Sequence, residues 1–188
     1  GDIPFVHNSS AATLNIQQIQ DRDRTVALSS IPDRLELLET QGIDMQVIAS
    51  VPNQCYYMAK GEDANKVSRL VNDGIMKWVD AHPDKFVGLG TVPLQDLSIA
   101  LDTLDYIKNE TSIKGLQILT NVNGMEISDK SLEKFWAKVE EYEFGVMLHP
   151  LGFSHGERFG NYYFTNVIGN PLDTTVALHY IIFNGLLE

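Results

Sequence analysis

Five histidines and one cysteine are the residues of this 188-residue chain best suited to metal or nucleophile chemistry. His149 closes the apolar run FGVMLH at 144–149 and is followed at once by Pro150. An imidazole there could ligate a metal or move a proton, or it could be a satisfied histidine that ends a strand; its position alone leaves both readings open. His82 precedes Pro83 at a helix end, where an imidazolium favours the helix dipole, a structural role. His179 stands among apolar neighbours in the last helical pattern and reads as packing or surface. His7 and His155 fall in loops, and His155, in GFSHGERFG just after the His149 run, could face a site. Cys55, in NQCYYMA, has no histidine or lysine beside it to lower its pKa and reads as an ordinary loop thiol.

The elements that would carry these residues alternate. Helical spacing is expected over 31–42, 64–83, 97–110, 128–143 and 171–188, with Ser128 as the N-cap of the fourth and Pro171 near the start of the last. Short apolar strands are expected within 43–52, 85–93, 113–123 and 144–150. Residues 1–28 show no clear period and are expected to be irregular. Several strands are apolar at successive positions, which is what burial on both faces requires, so the sheet is parallel and helix-covered. Strand starts recur every 30 to 40 residues or so, the length of a βαβ unit. A doubly wound sheet and a (β/α)8 barrel both fit, with four strands making about half of a barrel. No G-x-G-x-x-G follows a strand, so a dinucleotide site has no support. No carboxylate pair stands at the strand ends, so two-carboxylate glycoside hydrolysis has none either.

Barrel enzymes build their sites where strands end. Those ends are expected at 50–52, 90–93, 120–123 and 148–150, and only the last offers a metal ligand or a proton-transfer group, His149. The aromatic clusters Tyr56–Tyr57 and Tyr162–Phe164 could line a pocket or roof the barrel. The net charge of −11, from 25 acidic and 14 basic side chains, repels phosphate backbones and anionic membranes. No apolar run reaches the length of a membrane-spanning helix, and a single cysteine fits a reducing compartment, so a cytoplasmic protein is expected. The chain opens without methionine and ends inside an apolar helical pattern, so a fragment is expected.

Four segments carry a family resemblance: FVGLGTVPLQD at 86–96, KGLQILTNVNG at 114–124, VMLHPLG at 146–152 and NVIGNPLDTTVAL at 166–178. With RLELLETQGIDMQVIASVP at 34–52, they resemble, in the same order, the amidohydrolases related to aminocarboxymuconate semialdehyde decarboxylase. The resemblance implies a metal-dependent (β/α)8 barrel, present here as a single domain over 1–188: an α/β partial TIM barrel of about four parallel strands with covering helices. It implies one divalent metal, zinc or else manganese, held by a His-x-His after the first strand, a His after the fifth and an Asp after the eighth. A further histidine after the sixth strand moves protons.

His149 matches the fifth-strand ligand. No His-x-His occurs in the chain, and the family's proton-transfer His and final Asp correspond to positions past Glu188. The family's substrate arginine matches Arg24, or Thr25 stands there instead. Leu151 stands where the decarboxylase has the tryptophan that follows His-Pro, so the resemblance implies the family and does not fix the particular substrate. Asn121, Asn123, His155 and Tyr163 stand where substrate contacts are expected. The implied activity is decarboxylation of a small carboxylated aromatic or muconate-like acid, with this piece alone inactive and a homodimer as the assembly. Two alternatives remain: hydrolysis of a small lactone or amide, and a non-catalytic half-barrel whose unpaired sheet edges pair with another chain.

Overall fold

A computed structural model describes residues 11–153 and 157–188. In chain order the elements are α1 (Ala11–Ser29), α2 (Ile31–Gln41), β1 (Gln46–Ala49), α3 (Gly61–Ala81), β2 (Phe86–Gly90) and α4 (Leu97–Glu110). There follow β3 (Gly115–Leu119), β4 (Asn121–Val122), β5 (Met125–Glu126), α5 (Glu133–Glu141), β6 (Gly145–His149) and α6 (Asn170–Phe183). The main sheet is parallel in the order β1-β2-β3-β6, and β4 and β5 form a separate antiparallel pair. Each parallel crossover returns through a helix, giving a curled half-barrel with helices outside, as the alternation of patterns predicts.

Two expectations are corrected. Ala11–Ser29, expected to be irregular, is a helix. Its Ala, Leu, Gln and Arg content favours helix without any apolar stripe, so periodicity could not reveal it. Leu14, Ile16, Ile19 and Leu28 are accordingly exposed. The second correction concerns the start of the 128–143 helix. Ser128 is buried and accepts a hydrogen bond from Asn184 Nδ2 at 3.0 Å. Asp129 caps instead, its carboxylate accepting from Ser131 N–H at 2.8 Å over a tight turn that leads into α5. A carboxylate is the stronger acceptor at that end.

Glycine decides which face of the sheet is which. A Cβ on Gly88 would lie 2.8 Å from Ile75 Cγ2 on α3, so glycine lets that helix close on β2. Gly88 and Gly90 therefore face the helices, and by alternation Val87 and Leu89 face inward. The register Gly90↔Leu116 puts Leu116 and Ile118 in the helix-facing core, where both are fully buried. Gln117 and Leu119 then point into the half-barrel. The pair Leu119↔His149 sets His149 on that same inner face. The core between sheet and helices is filled by Phe86, Leu104, Ile107, Phe135 and Leu38.

Candidate functional site

His149 is the last residue of β6 and is half-buried on the inner face. Its Nδ1 lies 2.7 Å from the carbonyl oxygen of Pro150. A carbonyl only accepts, so Nδ1 carries the proton and Nε2 keeps its lone pair. Ligating histidines are commonly fixed in this way, by a carbonyl on the opposite ring nitrogen. The imidazole thus fits a metal ligand through Nε2. Among the described residues no three His, Cys, Asp or Glu side chains come together to hold a metal ion. The described residues by themselves therefore do not complete a metal centre around His149.

The neighbouring strand ends are sealed by residues 50–60. Gln117 Nε2 donates to the Ser50 carbonyl at 2.9 Å, and Leu119 N–H donates to the Tyr57 hydroxyl oxygen at 3.4 Å. Asn123 Nδ2 donates to the Tyr57 carbonyl at 2.8 Å, while Gln95 Nε2 donates to the carbonyls of Tyr56 and Ala59. Cys55 and Tyr57 are the buried side chains of this loop; desolvation raises both, Tyr57 well above its ordinary value. The thiol is therefore protonated and inert, as its sequence setting suggests. From α3, Asn72 reaches across to Thr91, its Oδ1 accepting from Thr91 N–H at 2.8 Å and its Nδ2 donating to Thr91 C=O at 3.0 Å.

Past the end of β3 lies a second polar group. Asp173, 5 % exposed in the first turn of α6, accepts from the Thr120 hydroxyl and from the Asn121 side chain. Burial raises its pKa and those two bonds oppose the rise. Glu126 on β5 is raised as well, by burial first and then by Asp173.

The sequence candidates separate on this geometry. Asn121 holds Asp173 and accepts from Gly124 N–H at 3.0 Å. Asn123 has a left-handed backbone, φ 53°, and with Gly124 makes the turn of the β4–β5 hairpin. That hairpin was missed, although Asn-Gly between short apolar segments is its usual signal. Both asparagines therefore serve the hairpin and its contacts rather than standing open towards His149. Tyr163 donates to Gln20 Oε1 at 3.0 Å, fastening its segment to α1. Arg24 is exposed one helical turn further along α1. His155 lies outside the described residues. Asp173, Gln117 and Asn72 were not singled out, whereas Tyr57 was, as a residue that could line a pocket or roof the barrel. Gln117 alone had a visible signal, a lone polar residue in the apolar strand GLQIL.

Half a (β/α)8 barrel with a lone-pair-bearing imidazole at a strand's C-terminal end is the frame of a metal-dependent barrel enzyme. The chain belongs to the amidohydrolase family, whose model, described as Amidohydrolase, matches residues 11–182. It is 32% identical over 158 residues to a 2-amino-3-carboxymuconate-6-semialdehyde decarboxylase of Dictyostelium discoideum, covering 84% of this chain and 44% of that protein. Its fold matches a 5-carboxyvanillate decarboxylase from Sphingomonas paucimobilis with TM-score 0.76 and 24% identity, over 82% of this chain and 47% of that one. It also matches a 5-carboxyvanillate decarboxylase from Novosphingobium aromaticivorans, solved with manganese and 4-hydroxy-3-methoxy-5-nitrobenzoic acid. There the TM-score is 0.73 at 19% identity, covering 87% and 47% of the two chains. At these identities the structural likeness is one of fold. The chain spans less than half the length of these relatives.

Proposed function

We propose that this chain is the first-half portion of a metal-dependent decarboxylase acting on a small carboxylated aromatic or muconate-like acid. The observation that carries the reading is the place of His149 at the end of β6, with Nδ1 on the Pro150 carbonyl, which leaves Nε2 for a metal. The similarity to the Dictyostelium discoideum decarboxylase supports the reaction class. A divalent ion, zinc or manganese, would supply electrostatic stabilisation of substrate oxygens. Decarboxylation breaks the bond between the substrate carbon and its carboxylate, leaves the electron pair on carbon and requires a proton there. On this reading His149 is a ligand and not the proton donor. Leu119 and Met147, on the same inner face, form an apolar wall beside it that suits a flat ring. With one ligand among its described residues, the 188-residue chain is inactive by itself, and activity belongs to the longer protein.

The test is metal content of the full-length protein, purified without chelator, together with CO2 release from a panel of small aromatic acids. About one metal per chain, lost in His149→Ala along with CO2 release, is the expected result. A wild-type level of metal in His149→Ala overturns the ligand assignment. Metal-dependent hydrolysis of lactones or amides without CO2 release moves the reaction to the hydrolytic branch.

A further inference from the structure

The turn of the β4–β5 hairpin is the dipeptide Asn123-Gly124, with φ 53° and 90°. Two positive values in succession are those of a type I′ turn, for which Asn-Gly is the preferred pair. The same dipeptide is chemically labile. An asparagine side-chain amide can be attacked by the backbone nitrogen that follows it, and glycine, with no Cβ, hinders that attack least. Only two Asn-Gly pairs occur in the sequence, Asn123-Gly124 and Asn184-Gly185.

We propose that Asn123-Gly124 is a self-modification site, at which deamidation detaches the hairpin from the 50–60 loop. Gly124 N bonds to Asn123 Cγ while the Cγ–Nδ2 bond breaks, and ammonia leaves with the proton that Gly124 N gives up. Water then opens the cyclic imide at either carbonyl carbon, breaking a C–N bond and leaving aspartate or isoaspartate at 123. Nothing is oxidised or reduced, and water is the only co-reactant.

Two hydrogen bonds set the rate. Gly124 N–H donates to Asn121 Oδ1 at 3.0 Å, so the proton that must leave is held. Asn121 is itself fixed, since its side chain also bonds to Asp173. Asn123 Nδ2 donates to the Tyr57 carbonyl at 2.8 Å, which ties the amide to a different segment. The reaction therefore waits for local opening of the hairpin.

The partner atoms decide which of the two pairs matters. The Tyr57 carbonyl only accepts, so a carboxylate at 123 loses its bond there and faces an oxygen of like partial charge. Isoaspartate adds a methylene to the main chain, which the two-residue turn does not accommodate. Asn184 Nδ2 instead donates to Ser128 Oγ at 3.0 Å. That hydroxyl can turn and donate to a carboxylate, so the same change at 184 keeps its contact. Asn123 is thus the point at which ageing of the protein alters its structure, by loosening a loop that Gln117 and Leu119 bond to the end of β3. Both reacting groups belong to one dipeptide, so the inference needs no free surface and is independent of the metal and of the reaction.

The test is incubation of the full-length protein for days near neutral pH, folded and in urea, with peptide mapping by mass spectrometry and enzymatic methylation of isoaspartate. In urea both Asn-Gly pairs are expected to convert ahead of the other asparagines. In the folded protein Asn123 converts about tenfold more slowly than in urea. Asn121→Ala, which removes the acceptor of Gly124 N–H, raises the folded rate about fivefold and leaves the urea rate unchanged. Across urea concentrations below unfolding, wild-type conversion and hydrogen exchange at Gly124 rise together, a readout that stands even where Asn121→Ala fails to fold. Asn123→Asp, the product itself, speeds hydrogen exchange in residues 50–60, whereas Asn184→Asp does not. Folded conversion as fast as in urea overturns the protection, and no folded conversion while the urea sample converts overturns the site. A folded Asn121→Ala variant that converts at the wild-type rate overturns the role of that bond. Unchanged exchange of 50–60 in Asn123→Asp, or an equal change in Asn184→Asp, overturns the coupling to the loop.

Discussion

The two ends of the main sheet are finished to different degrees. At β2 the helix-facing positions, and at β3 both faces, are closed within the chain. Phe86 is 1 % exposed, Asn72 clamps Thr91, and Gln117 and Tyr57 tie the strand ends to the 50–60 loop. At β6 the inner-face residues Met147 and His149 remain partly open. In the closed region the side chains of Asn72, Gln117 and Asn123 find backbone partners within the chain. The open region carries His149, the candidate ligand. On the function proposed above, stability and function draw on different parts of the same half-barrel.

The sharpest way to break that contrast is to cut the core on each side. Phe86→Ala is expected to cost about 3–5 kcal/mol in urea unfolding, whereas Met147→Ala costs less than about 1 kcal/mol. Equal losses would mean that the open side is as well packed as the closed one. Next, Asn72→Ala strands two buried backbone groups of Thr91 and should cost about 2–3 kcal/mol, measured in the same way.

Asp173 tests the boundary between the two sides by its pH dependence. Burial raises its folded pKa above the unfolded value, so its contribution to stability is fully present below the unfolded pKa and is lost as pH rises through the folded one. Asp173→Asn, which keeps an acceptor for Thr120, should therefore melt higher than the wild type at neutral pH, with the difference shrinking as pH falls below the carboxylate range. A melting difference that does not vary with pH would rule out a buried titrating carboxylate there. The smallest effect is expected at His149. In metal-free protein His149→Ala should change stability by less than about 1 kcal/mol, since its bond runs only to its own neighbour. A larger loss by thermal melting would make His149 a structural residue first.

Much of the fold was legible because burial leaves a period. The α3 pattern and the successive apolar residues of GLQIL come directly from packing against a sheet with helices on its outer face. α1 was not legible, because helix propensity without a buried stripe leaves no period. In the candidate site, His149 could be read from its place at the end of a strand. Asp173 and Asn72 could not, because their partners lie 53 and 19 residues away and become neighbours only through the crossovers. Asn121 and Asn123 were read as open groups because a side chain's internal partner is invisible in a linear string.

The bond from His149 to the carbonyl of the next residue has a consequence for how such barrels are put together. The direction of the imidazole is written into a dipeptide rather than into the surrounding barrel. A half-barrel severed from its complement, or recombined with a foreign one, would keep this donor aimed the same way. The unit handed from one barrel to another need be no larger than a strand and its two terminal residues.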